Sequence, residues 1–319
     1  MLVNAYRSLW FRNGNPAGST ALMRMKNRIG TVAEPTANSS KPDKGTETEE
    51  EASVIEATRL SARLIYEVIR RDGEEELERP FVSLVWSGLA AGLLISLSVL
   101  GEAILRTYLP DSPSSFLIEN LGYSLGFMVV ILGRMQLFTE NTITTVLPVV
   151  SRRSMSCTLS MLRLWGIVLA ANVVGAIAAA FFMTLPGAFS EEVTTAIRDL
   201  SHHAVGMGAW QSFIRAIPAG VLVASIVWMM PSSRGNEFLI ILTFTWAIAA
   251  GDFTHIIAGS VEMGYLLLLG ELGLVAAVFS FFLPVLIGNI VGGTAIFTLL
   301  AWGQVKNEVE HGTGSATGS

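Results

Sequence analysis

Between Leu239 and Gly270 the chain is apolar enough to lie in lipid, yet Gly251, Asp252, Thr254 and His255 interrupt it midway. Each backbone group freed from a helix within a bilayer must find a partner in the protein. Such a break survives only where it is buried in protein or lines a watery path. An ionisable side chain at the break marks that path. His255 is therefore the leading candidate, the competing reading being a histidine that merely satisfies the opened backbone.

The remaining sequence has the same character. Of 319 residues, 51% are hydrophobic and 15% charged, with a mean hydropathy of +0.53, whereas soluble domains carry about 25% charged residues. Six hydrophobic units follow one another: Phe81 to Leu105, Phe116 to Val150, Arg163 to Leu185, Ser212 to Met230, Glu237 to Gly270 and Val275 to Trp302. One span needs about 20 residues. The second and fifth units are much longer, and each carries its polar interruption in the middle, LFTENT at Leu137 to Thr142 and GDFTH at Gly251 to His255. Two broken helices within a bundle of six transmembrane helices is the economical reading, an all-α membrane protein.

The net charge of −5 is spread along the chain, which gives a nucleic acid nothing to bind. A single Cys157 excludes an internal disulfide and any thiolate metal cluster. With no nucleophile–base pair, metal-ligand spacing or phosphate loop, the sequence points away from an enzyme and implies no cofactor and no metal.

Three regions are expected: a polar cytoplasmic extension over 1–80, a transmembrane channel domain over 81–302 and a flexible cytoplasmic tail over 303–319. Within the extension, Pro35 to Glu51 reads as disordered, and apolar residues recur at helical spacing over about 52–71, an amphipathic helix. Arg152, Arg153, Arg234 and Lys306 share one side if there are six crossings, so the positive-inside rule places both termini in the cytoplasm. The halves also echo each other. Ala171 to Ala176 (ANVVGA) repeats as Gly288 to Gly293 (GNIVGG), and Phe138-Thr139 as Phe253-Thr254, in nearly the same register. Three crossings per half make the halves an inverted repeat, with the site at their interface.

The stretches GYSLGFMVVILGRMQLFTENT (Gly122 to Thr142), RLWGIVLAANVVGA (Arg163 to Ala176), FTHIIAG (Phe253 to Gly259) and IGNIVGG (Ile287 to Gly293) resemble the formate/nitrite transporter family, and the long polar N-terminus with ENLGYSLGF (Glu119 to Phe127) most resembles its YfdC-type branch. The resemblance implies an aquaporin-like homopentamer in the inner membrane that passes a small monovalent weak-acid anion, such as a monocarboxylate, with or without a proton. It also carries roles onto residues. His255 matches the central histidine and Thr139 the threonine facing it, while Leu137, Phe138, Tyr123, Phe127 and Ile248 match constriction residues. Asn172 and Asn289 match the pair supporting the helix breaks, and Arg163 falls at the position of a vestibule lysine. The chain departs from the family pattern at Gly259, Ser260 and Glu262 after the histidine, and at Arg134 and Glu140 around the first break, where these two side chains could pair or line the pore mouth.

A bare anion in an apolar constriction is costly, and its neutral acid much less so. A vestibule cation that attracts the anion and a central histidine that polarises it therefore fit such a path. Two other classes compete: an aquaporin-type pore for small uncharged solutes, and a non-transporting membrane sensor. Against the first, Asn15-Pro16-Ala17 lies in the polar extension and neither break bears that tripeptide. His202, His203 and His311 are expected to be solvated residues of loops or the tail.

Overall fold

The computed structural model describes residues 60–110, 112–233 and 235–314. The expected disordered segment, the first part of the amphipathic helix, Arg234 and the Asn15-Pro16-Ala17 tripeptide lie outside the described residues, as does the side chain of His311. The described chain is helical, with no strand among those residues.

The first helix, α1 (Ala62–Glu78), starts where the Ser61 hydroxyl accepts the Leu64 amide, an N-cap. It runs on past Arg71 to Glu78 because its charged residues pair along one face. Arg70 bridges Glu67 and Glu74, and Arg71 also reaches Glu67. The Arg70 guanidinium holds the Glu67 carboxyl down at about 2. The opposite face buries Ile65, Tyr66 and Ile69 in a cluster with Ile143, Leu147, Ala224 and Val305, each large side chain contributing about 1.5–3 kcal/mol. This helix is thus packed onto the body of the protein.

Among the described residues five helices are long and apolar enough to cross a membrane: α2 (Phe81–Tyr108), α3 (Pro113–Leu132), then Met155–Met183, Ala209–Ser232 and Leu274–Asn307. Two short helices, α4 (Phe138–Thr144) and α5 (Val146–Arg152), complete the second apolar unit after its break. Met155–Met183 is α6, Glu191–Val205 is α7 and Ala209–Ser232 is α8. The fifth unit is split into two shorter apolar helices, α9 (Glu237–Ala250) and α10 (Ile256–Leu269), and Leu274–Asn307 is α11.

Helices α2 and α6 lie along each other, as do α8 and α11. Each pair presses against one break. In α11 the backbone passes through π turns at Ala277–Phe282 and Val291–Thr298, a distortion that re-aims side chains near functional sites. Asn289 sits on the α-helical segment between them. Every residue of α10 from Ile256 to Leu266 is buried, which makes it the innermost helix. By contrast Trp86, Phe181, Phe279 and Leu300 stand exposed on the flanks of the single chain, an apolar surface suited to lipid or to neighbouring copies.

Candidate functional site

Both breaks are built alike, atom for atom along the backbone. After α3, the Gly133 amide bonds Val129, Arg134 turns left-handed at φ 51°, and the Met135 amide reaches back to the Val130 carbonyl. After α9, the Gly251 amide bonds Ala247, Asp252 turns left-handed at φ 57°, and the Phe253 amide reaches back to Ile248. Each is a Schellman closure with a non-glycine residue in the left-handed position, a strain of about 1–2 kcal/mol.

Beyond the turn, the freed backbone is held by one asparagine. Asn172 accepts the Phe138 amide at 2.9 Å and donates to the carbonyls of Gly88 and Gln136, both at 2.8 Å. Asn289 accepts the Ile256 amide at 2.9 Å and donates to the carbonyls of Ala216 at 2.8 Å and Thr254 at 3.0 Å. Neither asparagine fits unless a helix comes very close. A Cβ on Gly92 would sit 2.0 Å from the Asn172 carbonyl oxygen, and one on Gly220 would sit 2.3 Å from that of Asn289.

These bonds fix which residues correspond. Gly133 to Phe138 superpose in role on Gly251 to Ile256, so Leu137 is the counterpart of His255, and Gln136 of Thr254. The Phe-Thr echo expected from the sequence is therefore out of register. Phe253-Thr254 corresponds to Met135-Gln136, because the backbone bonds, and not the shared dipeptide, set the alignment.

The breaks meet where His255 Nε2 lies 2.8 Å from Thr139 Oγ1. His255 is also the N-cap of α10, its Nδ1 accepting the Ala258 amide at 3.3 Å. A nitrogen that accepts carries no proton, so the ring proton is on Nε2 and is donated to Thr139. The threonine hydroxyl hydrogen is then left for another acceptor. Phe127 packs edge-on against the imidazole at 4.9 Å, and Tyr123 packs on Phe127 at 5.3 Å. Leu137 and Ile248 are fully buried nearby, and Phe138 stacks edge-on against Trp165.

A cavity of about 60 Å³ opens beside the imidazole, room for a few waters or one small ion. Glu102, Tyr123, His203, Asp252 and Glu262 share its wall with His255, and among the described residues no lysine or arginine lines it. Glu262 is 9% exposed and makes no hydrogen bond or ion pair among the described residues. Asp252 is paired, with Arg215 on one oxygen and His203 Nε2 at 2.7 Å on the other.

Several expectations are corrected. His202 and His203 are not in a loop but in the last turn of α7, where they bond Glu271 and Asp252, each at 2.7 Å. Arg134 and Glu140 do not pair: Arg134 is exposed, and Glu140 Oε1 is buried without a partner. Apart from these corrections, Arg163 stands exposed on α6, off the wall of this cavity and without an ion pair among the described residues. Glu102, His203 and Arg215 belong to the site although the sequence pattern does not pick them out. Glu102 carries a usable signal, an ionisable residue inside the first apolar unit. Among the described residues no three His, Cys, Asp or Glu side chains converge to hold a metal ion.

Residues 63–303 match the family model described as Formate/nitrite transporter. The chain is 43% identical over 259 residues to the inner membrane protein YfdC of Escherichia coli strain K12, covering 81% of this chain and 84% of that protein. It is 29% identical over 244 residues to the formate channel FocA of Haemophilus influenzae, covering 68% and 84% respectively. Its fold resembles that of a pentameric formate channel with formate bound, at TM-score 0.61 and 22% identity over 70% of this chain and 96% of the other. A second structure, an FNT family ion channel, gives TM-score 0.65 at 19% identity over 75% and 97%.

Proposed function

Because the chain belongs to the formate/nitrite transporter family, we propose that it is an inner-membrane channel passing a small monovalent weak-acid anion, with a proton. In this reading the bundle makes six crossings as two inverted halves, both termini are cytoplasmic, and five copies assemble. Residues 1–80 and 303–319 form the cytoplasmic extension and tail, and no catalytic step is involved. The pentameric assembly and formate binding of the structurally similar channel support it.

The path runs through the contact between the two breaks. Arg163, exposed and uncompensated among the described residues, draws the anion to the inner mouth. Leu137, Phe138, Tyr123, Phe127 and Ile248 form dry constrictions, where a bare anion is penalised and its neutral acid is not. His255 and Thr139 sit between them and offer a polar foothold, a hydroxyl hydrogen for the passing carboxyl or nitrite oxygen. The observation that carries the reading is the 2.8 Å bond joining the breaks beside a cavity.

Flux into proteoliposomes tests it, with formate, nitrite, acetate, lactate, hydrosulfide and glycerol offered at several pH values. Acid-stimulated uptake of an anion, reduced in His255→Ala and in Arg163→Ala, is the expected result. A cavity wall without lysine or arginine among the described residues favours a second reading, a pore for small uncharged solutes. Glycerol uptake without anion uptake would decide for it.

A further inference from the structure

Within the channel reading, on which this step rests, the group that protonates the substrate has to be found. His255 is poorly arranged to be that donor, since its Nδ1 is occupied by the Ala258 amide and its Nε2 hydrogen by Thr139. A proton added at Nδ1 would remove the acceptor that caps α10. Glu262 has the opposite character. It lies two turns along α10 from His255, about 10 Å by helical rise, and on the same cavity wall. It is nine-tenths buried in the innermost helix without any bonded partner among the described residues.

Among the described residues, the groups facing this carboxyl leave it no free cation. From α2 comes Glu102, from the start of α3's second half Tyr123, from α7 His203, and from the break Asp252 and His255. His203 and Arg215 are both engaged by Asp252. On its α6 side, α10 meets Ile177 and Ala180, which are apolar. An unpaired carboxylate buried among such neighbours is strongly disfavoured, whereas a carboxylic acid there is a neutral hydrogen-bond donor.

We propose that Glu262 is the proton donor of the outer mouth. The protonated Glu262 carboxyl gives its hydrogen to the incoming anion, leaving a Glu262 carboxylate and a neutral acid, and the acid crosses the dry contact at His255. Water on the far side takes the proton from the acid and regenerates the anion. Water reaching the cavity from outside returns a proton to Glu262 and leaves its hydroxide on the outer side, so one proton moves inward with each anion. Glu102 shares the cavity wall with Glu262.

The test uses the full-length protein in proteoliposomes with radiolabelled formate as probe, at external pH 5 to 8, comparing the parent with Glu262→Gln, Glu262→Asp and Glu102→Gln. Elution as the parent assembly controls for folding. Expected is about a tenfold slower uptake in Glu262→Gln with a flattened pH profile, partial rescue by Glu262→Asp, and a shifted profile in Glu102→Gln. Infrared spectra of the parent at pH 7 should contain a protonated-carboxyl band that Glu262→Gln removes. A transporting parent whose Glu262→Gln variant keeps both rate and pH profile overturns the proposal alone, as does the lack of that band. A parent that carries no weak acid overturns the channel reading and this proposal with it. Methylammonium uptake that depends on Glu262 would assign the carboxyl a cation instead, and the proton assignment would fall.

Discussion

The two helix breaks share a backbone and differ in what they carry. In both, a left-handed residue closes one helix and an asparagine from a neighbouring helix holds the next strand of backbone. The first break places Leu137 at the position where the second places His255, and it turns on Arg134 where the second turns on Asp252. Their surroundings differ as well. The first break is covered by α1, with Gln136 bonding Glu76 at 2.7 Å, while the second is tied by Asp252 to α7 and α8. One scaffold, used twice, thus supplies rigidity at both places and leaves the chemistry to a few side chains. The repeated asparagine satisfies what any break in lipid must satisfy, and the single imidazole does what only one break needs.

If the scaffold is common, Asn172→Ala and Asn289→Ala should be equally damaging. Each leaves one buried amide and one carbonyl of the opened backbone unpaired, at about 1–3 kcal/mol per group. Thermal unfolding of the detergent-purified protein should show losses of similar size for both, or failure to assemble for both. A large loss in one and a small loss in the other would mean that the breaks are held differently.

Replacing His255 by leucine makes the second break chemically like the first. Stability should fall by only about 1 kcal/mol, the worth of an N-cap, while anion flux should fall at least about tenfold. The same thermal and flux assays measure both. A large stability loss with unchanged flux would mark the imidazole as a structural cap.

The smallest effect concerns the cover of the first break. The folded Glu67 carboxyl titrates at about 2 against an ordinary 4.5, so its pairing with Arg70 adds stability above pH 4.5 that is lost as pH falls toward 2. The pair is part-exposed, which limits the contribution to less than about 1 kcal/mol. Hydrogen-exchange protection in α1, taken relative to the intrinsic rate at each pH, should accordingly fall modestly upon acidification through that window and stay level in Glu67→Gln.

Much of the scaffold is legible in the residues. Polar groups inside apolar runs locate both breaks, and the two GN-like segments identify Asn172 and Asn289, because an asparagine inside a helix facing a break has few other reasons to be buried. The register between the breaks is not legible in the same way, since a shared Phe-Thr dipeptide says nothing of which amide faces which asparagine. Helix α7 hides in a connection between spans, although Ser190 caps it and acidic residues fill its first turn. Its histidines therefore read as solvated loop residues until the helix places them against Glu271 and Asp252.

What the sequence determined alone was where the membrane helices had to open, and that each opening must be repaired within the protein, because an unpaired backbone group in a lipid-like interior is too costly to leave. Which side chains then face one another was decided by the tertiary structure. His203 meets Asp252, Glu262 shares a cavity with Glu102, and Arg134 fails to meet Glu140. Such meetings depend on the packing angle and approach of helices far apart in the chain, and hydropathy along a single segment does not encode them.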